Sequence, residues 1–308
     1  MNKLETAIEW RKNYYHQLWL KFQWKIKKRF DFSKKEKVNS ISVVVVGRND
    51  NYGGDFTERL RTTLDWNLSI LPNPELIYIE WNQNPNKPSD CDWIVERYKN
   101  AKCYIVPKEI HDTITANPKM PVMEYFGKNV GIRKATNKWI LLINSDILVG
   151  LDVVNNIKKG LNKRYVYGTH YNNVKWHNES IDTEWIRRKD IILNSFSANM
   201  ILQSVVGNFI LTHKSNWIES TGYDETLNNV RAGVDENGKN NLLYLGIKPM
   251  VIGHHFHLDH KESMIHGRNG THGFNLFQNI PYRNQKNWGI ESNNTKLIKN
   301  KIWRIEKI

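Results

Sequence analysis

Apolar and polar positions fall into blocks along this chain. Ile41 to Val46 is β-branched at every position except Ser42, the pattern of a strand buried on both faces of a parallel sheet. Leu76 to Trp81, Cys103 to Val106 and Trp139 to Ile143 repeat it. Between them, Phe56 to Leu64, Asp92 to Lys99, Met123 to Ala135 and Leu151 to Leu161 read as helices, the first with Asp55 as its cap. Strands alternating with helices across short connections predict an α/β fold with a mostly parallel, doubly wound central sheet.

The second half is less regular. Residues 164–200 have no clear period. Gly207 to Thr212 and Lys248 to Ile252 read as strands, Ser215 to Ser220 and Glu236 to Leu245 as helices, and 261–308 as loop and tail. At the other end, Leu4, Ile8, Tyr15, Leu18, Phe22 and Ile26 line one face of a helix. Trp10, Tyr14, Trp19, Trp24 and a basic cluster from Lys25 to Arg29 surround that stripe. The expected organisation is therefore an aromatic, basic helix and linker over 1–40, a main domain over 41–260 and a tail over 261–308.

Composition narrows the class. With 308 residues, 40% hydrophobic and 11% aromatic, the chain can bury a core, and global disorder is excluded. The longest apolar runs fall far short of the roughly 20 residues of a membrane span. The amino terminus has no apolar core with a cleavage site, so no secretory signal is expected and the protein reads as cytoplasmic. Cys91 and Cys103 make neither a disulfide framework nor a zinc site and read as buried thiols. The net charge of +14 invites anionic partners. Half of it lies in residues 1–37, which leaves the main domain only mildly basic. No nucleic-acid partner is expected there. The amino-terminal helix either packs on protein or makes peripheral contact with an anionic membrane.

Candidate chemistry collects where strands end, since ligands of open α/β sheets bind outside the carboxyl ends of the strands. Asp146, in Asn144-Ser145-Asp146, follows the strand ending at Ile143. A carboxylate there can hold Mn2+ or Mg2+, and the cation can hold a diphosphate. Gly47-Arg48-Asn49-Asp50 opens a Gly- and Asn-rich loop that suits a nucleotide, or is an ordinary turn. Glu80-Trp81-Asn82 suits a nucleoside pocket, or is a polar strand terminus. Asp235 and Glu236 precede a helix and can serve as general base, or as favourable N-terminal acids. His254, His255, His257 and His260 crowd one segment; one of them can complete the Asp146 cation site, or all are satisfied structural histidines.

In the order and spacing of these elements, the chain resembles a glycosyltransferase of the GT-A fold, from the large inverting family-2-like group. Val46 to Phe56 resembles the nucleotide-binding loop of one branch, and Ile79-Glu80-Trp81-Asn82 its second-strand motif. Lys128 to Ala135, with Asn129 and Arg133, resembles the helix before the metal motif, and Asn144-Ser145-Asp146 stands where Asp-x-Asp belongs. Gly207-Asn208-Phe209, Trp217 and Gly222 to Glu225 resemble the donor and acceptor wall, and His257-Leu258-Asp259-His260 the closing His-x-Asp-His element. Asn144 departs from the usual first Asp, and Asp235-Glu236 from the usual Glu-Asp pair. The resemblance implies a nucleotide-binding sheet, a nucleoside-diphosphate sugar donor (a UDP sugar by default) and a Mn2+ or Mg2+ cofactor. It implies cation ligands Asp146 and His257, and Asp235, with Glu236 in reserve, as the base. The donor contacts it implies are Gly47, Arg48, Asn49, Asp50, Glu80, Asn129, Arg133, Asn144, Ser145, Asn208 and Trp217. The acceptor is a glycan, a lipid-linked sugar or a protein. A sugar-1-phosphate nucleotidyltransferase shares the architecture but would carry a Gly-rich, Arg-containing loop with a downstream Pro-Lys, which Gly47 to Gly54 lacks. A nucleic-acid- or membrane-binding module is the non-enzymatic rival.

Overall fold

A computed structural model describes residues 34–196, 207–229, 234–261, 283–290 and 294–306. The aromatic helix expected over residues 1–30, and with it the membrane-contact reading, lies outside them.

The central sheet grows from the runs that the sequence marks. β1 (Ile41–Gly47), β2 (Pro74–Trp81), β3 (Ala101–Val106) and β4 (Trp139–Ile143) lie side by side in the order β3-β2-β1-β4, all parallel. β1 and β4 are buried at every residue, and each fully covered Val, Ile or Leu contributes about 1.5–3 kcal/mol. α1 (Phe56–Ile70), α2 (Asp90–Arg97), α4 (Glu124–Lys134) and α5 (Leu151–Lys158) connect the strands. α4 approaches β1 so closely that a side chain at Gly127 or Gly131 would collide with Val46 or Val44. The expected α/β class with a mostly parallel central sheet is the one observed.

Four differences from the sequence reading have physical causes. α3 (Lys108–Ile114) occupies the proline-punctuated stretch read as loop: Pro107 stands at its N-cap, where no N–H is needed, and Ile110 and His111 are its buried side. β5 (Ile147–Val149), β6 (Tyr165–Val174), β7 (Ile192–Phe196), β8 (Phe209–His213) and β9 (Lys248–Leu258) extend the sheet as β4-β8-β6-β9-β5, with β7 on β6. β9 runs six residues past Ile252, because parallel pairing with β6 and antiparallel pairing with β5 supply its backbone hydrogen bonds. His254, His255 and His257 are therefore strand residues, and His260 follows the strand's end. In the stretch read as tail, β10 (Asn294–Lys299) and β11 (Ile302–Glu306) form a hairpin, and β11 pairs in parallel with β3. Ile302 and Ile305 are the buried residues that hold it there, so the sheet draws its edge from beyond residue 260.

Asp55 precedes α1 but makes no side-chain cap. Asn51 Oδ1 accepts the Phe56 N–H instead, and Asp55 pairs with Arg59. No helix among the described residues is long and apolar enough to cross a membrane. Cys91 and Cys103 are buried free thiols, as expected.

Candidate metal centre and adjoining loop

Asp146 sits between β4 and β5, and two devices fix its loop. α1 reaches it from one side: Thr63 donates to the Ser145 carbonyl at 2.6 Å, while Asn67 donates to the Ile147 carbonyl and accepts the Val149 N–H. β9 reaches it from the other: Ile147 is in register with His257, and the Leu258 N–H donates to the Asp146 carbonyl at 2.9 Å. This pairing carries two imidazoles to one carboxylate. Asp146 Oδ2 lies 3.2 Å from His260 Nε2 and 3.5 Å from His257 Nε2. One ligand atom from each of the three residues falls within 4.8 Å of the others, and all three residues are buried.

The residues fit a divalent cation on grounds internal to the site. Asp146 Oδ1 is buried without a hydrogen-bond partner, which is costly unless something positive fills the place. Burial alone would raise the Asp146 pKa, but the His257 and His260 rings outweigh it and hold the group well below the usual carboxylate range. His257 Nδ1 lies 2.6 Å from Asn173 Oδ1. An amide oxygen can only accept, so Nδ1 carries a proton, and Nε2, which faces Asp146, is the atom that would give up its own proton for a cation. Asn173 also donates to Asp259 at 3.1 Å.

The loop after β1 closes over this centre. Asp50 Oδ1 accepts the Tyr52 N–H at 3.2 Å, and Arg48 spans Asp50 Oδ2 at 2.6 Å and the Asn82 carbonyl at 2.8 Å. Tyr52 meets the His260 ring edge-on with centroids 5.2 Å apart. Gly53 has φ +72°, and a side chain there would meet His260 Nδ1 at 2.7 Å and Arg59 Nη2 at 2.8 Å. Beside β4, Lys128 is fully buried and donates to Asn144 Oδ1 at 2.9 Å and to the Gly207 carbonyl at 2.8 Å, while pairing with Glu124 at 2.5 Å. The Asn144 N–H donates to the Asn208 carbonyl at 3.1 Å, and Asn208 Oδ1 is a buried acceptor without a partner.

The structure thus gathers Asn144, Ser145, Asp146, Asn208 and His257 about one point, with Arg48 and Asp50 on the adjoining loop. Other expected site residues are placed differently. Arg133 is in the last turn of α4, whose end is tied to the starts of β1 and β2 through Thr136–Glu75 and Asn137–Ser42. It lies at the opposite end of the sheet from Asp146 and faces Trp288. Trp217 is fully buried and packs on Tyr223 with centroids 5.1 Å apart, as core rather than donor wall. Asn129, also fully buried, uses its amide to staple α4 to Tyr223 and Glu225. Asn49 does the same between its loop and the carbonyls of Asn84, Lys87 and Pro88. A side chain at Gly47 would strike Tyr78 and Phe56, so its glycine is explained by packing. Glu80 is fully buried and accepts from Ser89 Oγ and the Asp90 N–H at the start of α2. Burial, partly offset by those bonds, pushes its pKa to about 7. Asp235 and Glu236 are in the first turn of α6 (Val234–Tyr244); their side chains lie outside the described residues.

Sequence reasoning missed Arg59, Lys128 and Asn173 and gave His260 no ligand role. Arg59 carried a signal: it shares the buried face of α1 with Phe56, Leu60, Thr63 and Asn67, an odd position for a guanidinium without a task. Of the four clustered histidines, His254 is exposed and pairs with Asp152 at 2.7 Å. His255 is fully buried against Thr169, and its pKa is lowered to about 3 by burial and the neighbouring His257.

No family model matches the sequence, and no curated protein matches it. Among solved structures, the chain is similar to S. aureus TarS 1-349, with 13% identity and a TM-score of 0.46 over 71% of this chain and 60% of that one. It is similar to the same protein in complex with UDP-GlcNAc, with 12% identity and a TM-score of 0.46 over 74% and 61%. A third is the mannosyltransferase PcManGT from Pyrobaculum calidifontis in complex with GDP-Man and Mn2+, with 13% identity and a TM-score of 0.45 over 77% and 63%. The match spans less than two thirds of the length of each of these proteins.

Proposed function

We propose that the protein is a glycosyltransferase that moves a sugar from a nucleoside-diphosphate donor, a UDP sugar by default, to an acceptor hydroxyl. The observation that carries this reading is the Asp146–His257–His260 cluster at the carboxyl edge of a parallel sheet, with an unfilled buried oxygen on Asp146 and a Gly- and Asn-rich loop folded over it. Asp146, His257 and His260 hold the cation. Two imidazoles and one carboxylate favour Mn2+ over Mg2+, which prefers an all-oxygen shell. When bound, the cation neutralises the leaving diphosphate as a Lewis acid. Arg48 and Asp50 offer polar groups to the nucleotide, and Ser145 and Asn208 line the donor side. Asp235 removes the acceptor proton as the hydroxyl attacks the anomeric carbon, in one displacement with inversion. Glu236 is the reserve for that role. The acceptor is a glycan, a lipid-linked sugar or a protein side chain.

The test is a calorimetric and thermal-shift panel of UDP, GDP, CDP and ADP with and without Mn2+, followed by turnover with the matching donor. Mn2+-dependent stabilisation by one diphosphate, and its release on turnover, is the expected result. Release of pyrophosphate would point instead to a nucleotidyltransferase, and no binding of any diphosphate would overturn the reading.

A further inference from the structure

Arg59 is a buried charge for which the reaction just proposed has no use. It is 1% exposed, on the face of α1 that packs against the sheet. Its guanidinium pairs with Asp55, the residue just before the same helix, and donates from Nη2 to the Tyr52 carbonyl at 2.5 Å. Its Nε–H is buried without an acceptor. A lone stabilising ion pair does not explain this arrangement. Asp55 is half exposed, so a salt bridge of that kind is worth little, while taking a guanidinium out of water is costly.

The position explains more. Arg59 Nη2 and His260 Nδ1 both border the space that a side chain at Gly53 would need, and only a residue without one fits there at φ +72°. Tyr52, whose carbonyl Arg59 holds, lays its ring edge against the same His260. The fields of Asp146 and Asp259 also reach Arg59. One side chain thus ties the start of α1, the loop that faces the nucleotide and a ligand of the metal centre into one body.

We infer that Arg59 is a positioning residue that couples nucleotide binding to cation binding, by locking the Tyr52-Gly53 segment onto His260. This rests on the proposed function, since it presumes that loop 48–54 meets a nucleoside diphosphate. The guanidinium fork is the essential feature. It engages a carboxylate and a carbonyl at once, which a lysine ammonium on a flexible stem does not hold in register.

The experiment is calorimetric titration of Mn2+ into the full chain, alone and with saturating UDP or GDP. In the wild type, the diphosphate is expected to tighten Mn2+ by a factor of about 5–150, the usual range for coupled sites. Arg59→Lys keeps the charge and loses the fork; it is expected to bind Mn2+ alone within about threefold of wild type and to lose most of the coupling factor. A purely structural role would lower the melting temperature and leave the factor intact. Should Arg59→Lys not fold, Asp55→Asn loosens the same clamp from the solvent side and is expected to reduce the factor by about half or more. Full coupling in a folded Arg59→Lys, or in Asp55→Asn when the lysine variant does not fold, overturns the inference and leaves the glycosyltransferase reading standing. A wild type that binds Mn2+ but no diphosphate overturns both.

Discussion

Lys128 donates to the side-chain oxygen of Asn144 at 2.9 Å, from a position with no exposure to solvent. The residue at the head of the Asn144-Ser145-Asp146 loop is thereby directed at a buried ammonium rather than at the Asp146–His257–His260 cluster. Asn144→Asp adds a carboxylate that Lys128 captures. Mn2+ affinity is expected to stay within about twofold of wild type by calorimetry, and a gain of about tenfold or more would show that position 144 reaches the cation.

Removing the ammonium acts differently. Lys128→Met leaves Glu124 and the Gly207 carbonyl without their partner. Breaking a buried pair costs about 3–5 kcal/mol, and the partial exposure of Glu124 argues for the lower end. Urea unfolding measures this; a loss under about 1 kcal/mol would mean that the pair is dispensable.

Asn173 controls His257 from behind. Asn173→Ala frees the ring to flip or change tautomer, and outer-shell partners of metal-bound histidines are worth about 10–100-fold in affinity. Titration of Mn2+ into Asn173→Ala is expected to show a loss in that range, with the fold unchanged by circular dichroism. Equal affinity would mean that strand geometry alone orients the ring.

The buried Glu80 makes stability depend on pH. Its pKa in the folded protein is about 7, against roughly 4.3 for an unperturbed glutamate. Between those values the folded state holds a proton that the unfolded chain has lost, so stability falls as pH rises through that window. The slope from this group is at most about 1.4 kcal/mol per pH unit. Glu80→Gln is expected to flatten the profile between pH 5 and 7 and to be more stable than wild type at pH 8. An unchanged slope in urea melts across that range would show that Glu80 stays ionised when folded.

For the proposed base, Asp235→Asn is expected to keep donor affinity and lower transfer by about 100-fold or more, the usual contribution of a general base. Glu236→Gln is expected to retain most activity. A matching loss of donor affinity in Asp235→Asn would place that carboxylate at the donor instead.

Legibility in the sequence followed the physics of each element. β1, apolar but for Ser42 and its final glycine, and β4, apolar throughout, are buried on both faces, so their position and the exit of Asp146 could be read directly. β6 and the end of β9 carry Asn172, Asn173, His255 and His257 on interior faces. Such strands lack the apolar pattern because polar partners meet across the sheet, Asn173 with His257 and Thr169 with His255, a fact that exists only in three dimensions. The same holds at the site. Asp146 and His257 were visible from type and order. Lys128 and Asn173 reach partners 79 and 84 positions away, which no local spacing announces, whereas Arg59 betrays itself only as a cation on the buried face of α1. Trp217 and Asn129 fit a motif yet serve the core, because a fully covered side chain can brace a site without touching its ligand.

Asp146 and His260 are 114 positions apart and meet only when β5 and β9 have paired. An unfolded chain presents no such cage, so an ion that binds there stabilises the native state alone, by about 2.7 kcal/mol at a hundred times its dissociation constant. With the proposed cation bound there, survival against heat and proteolysis would follow the supply of trace metal, and starvation for it would shorten the protein's lifetime before any substrate is considered.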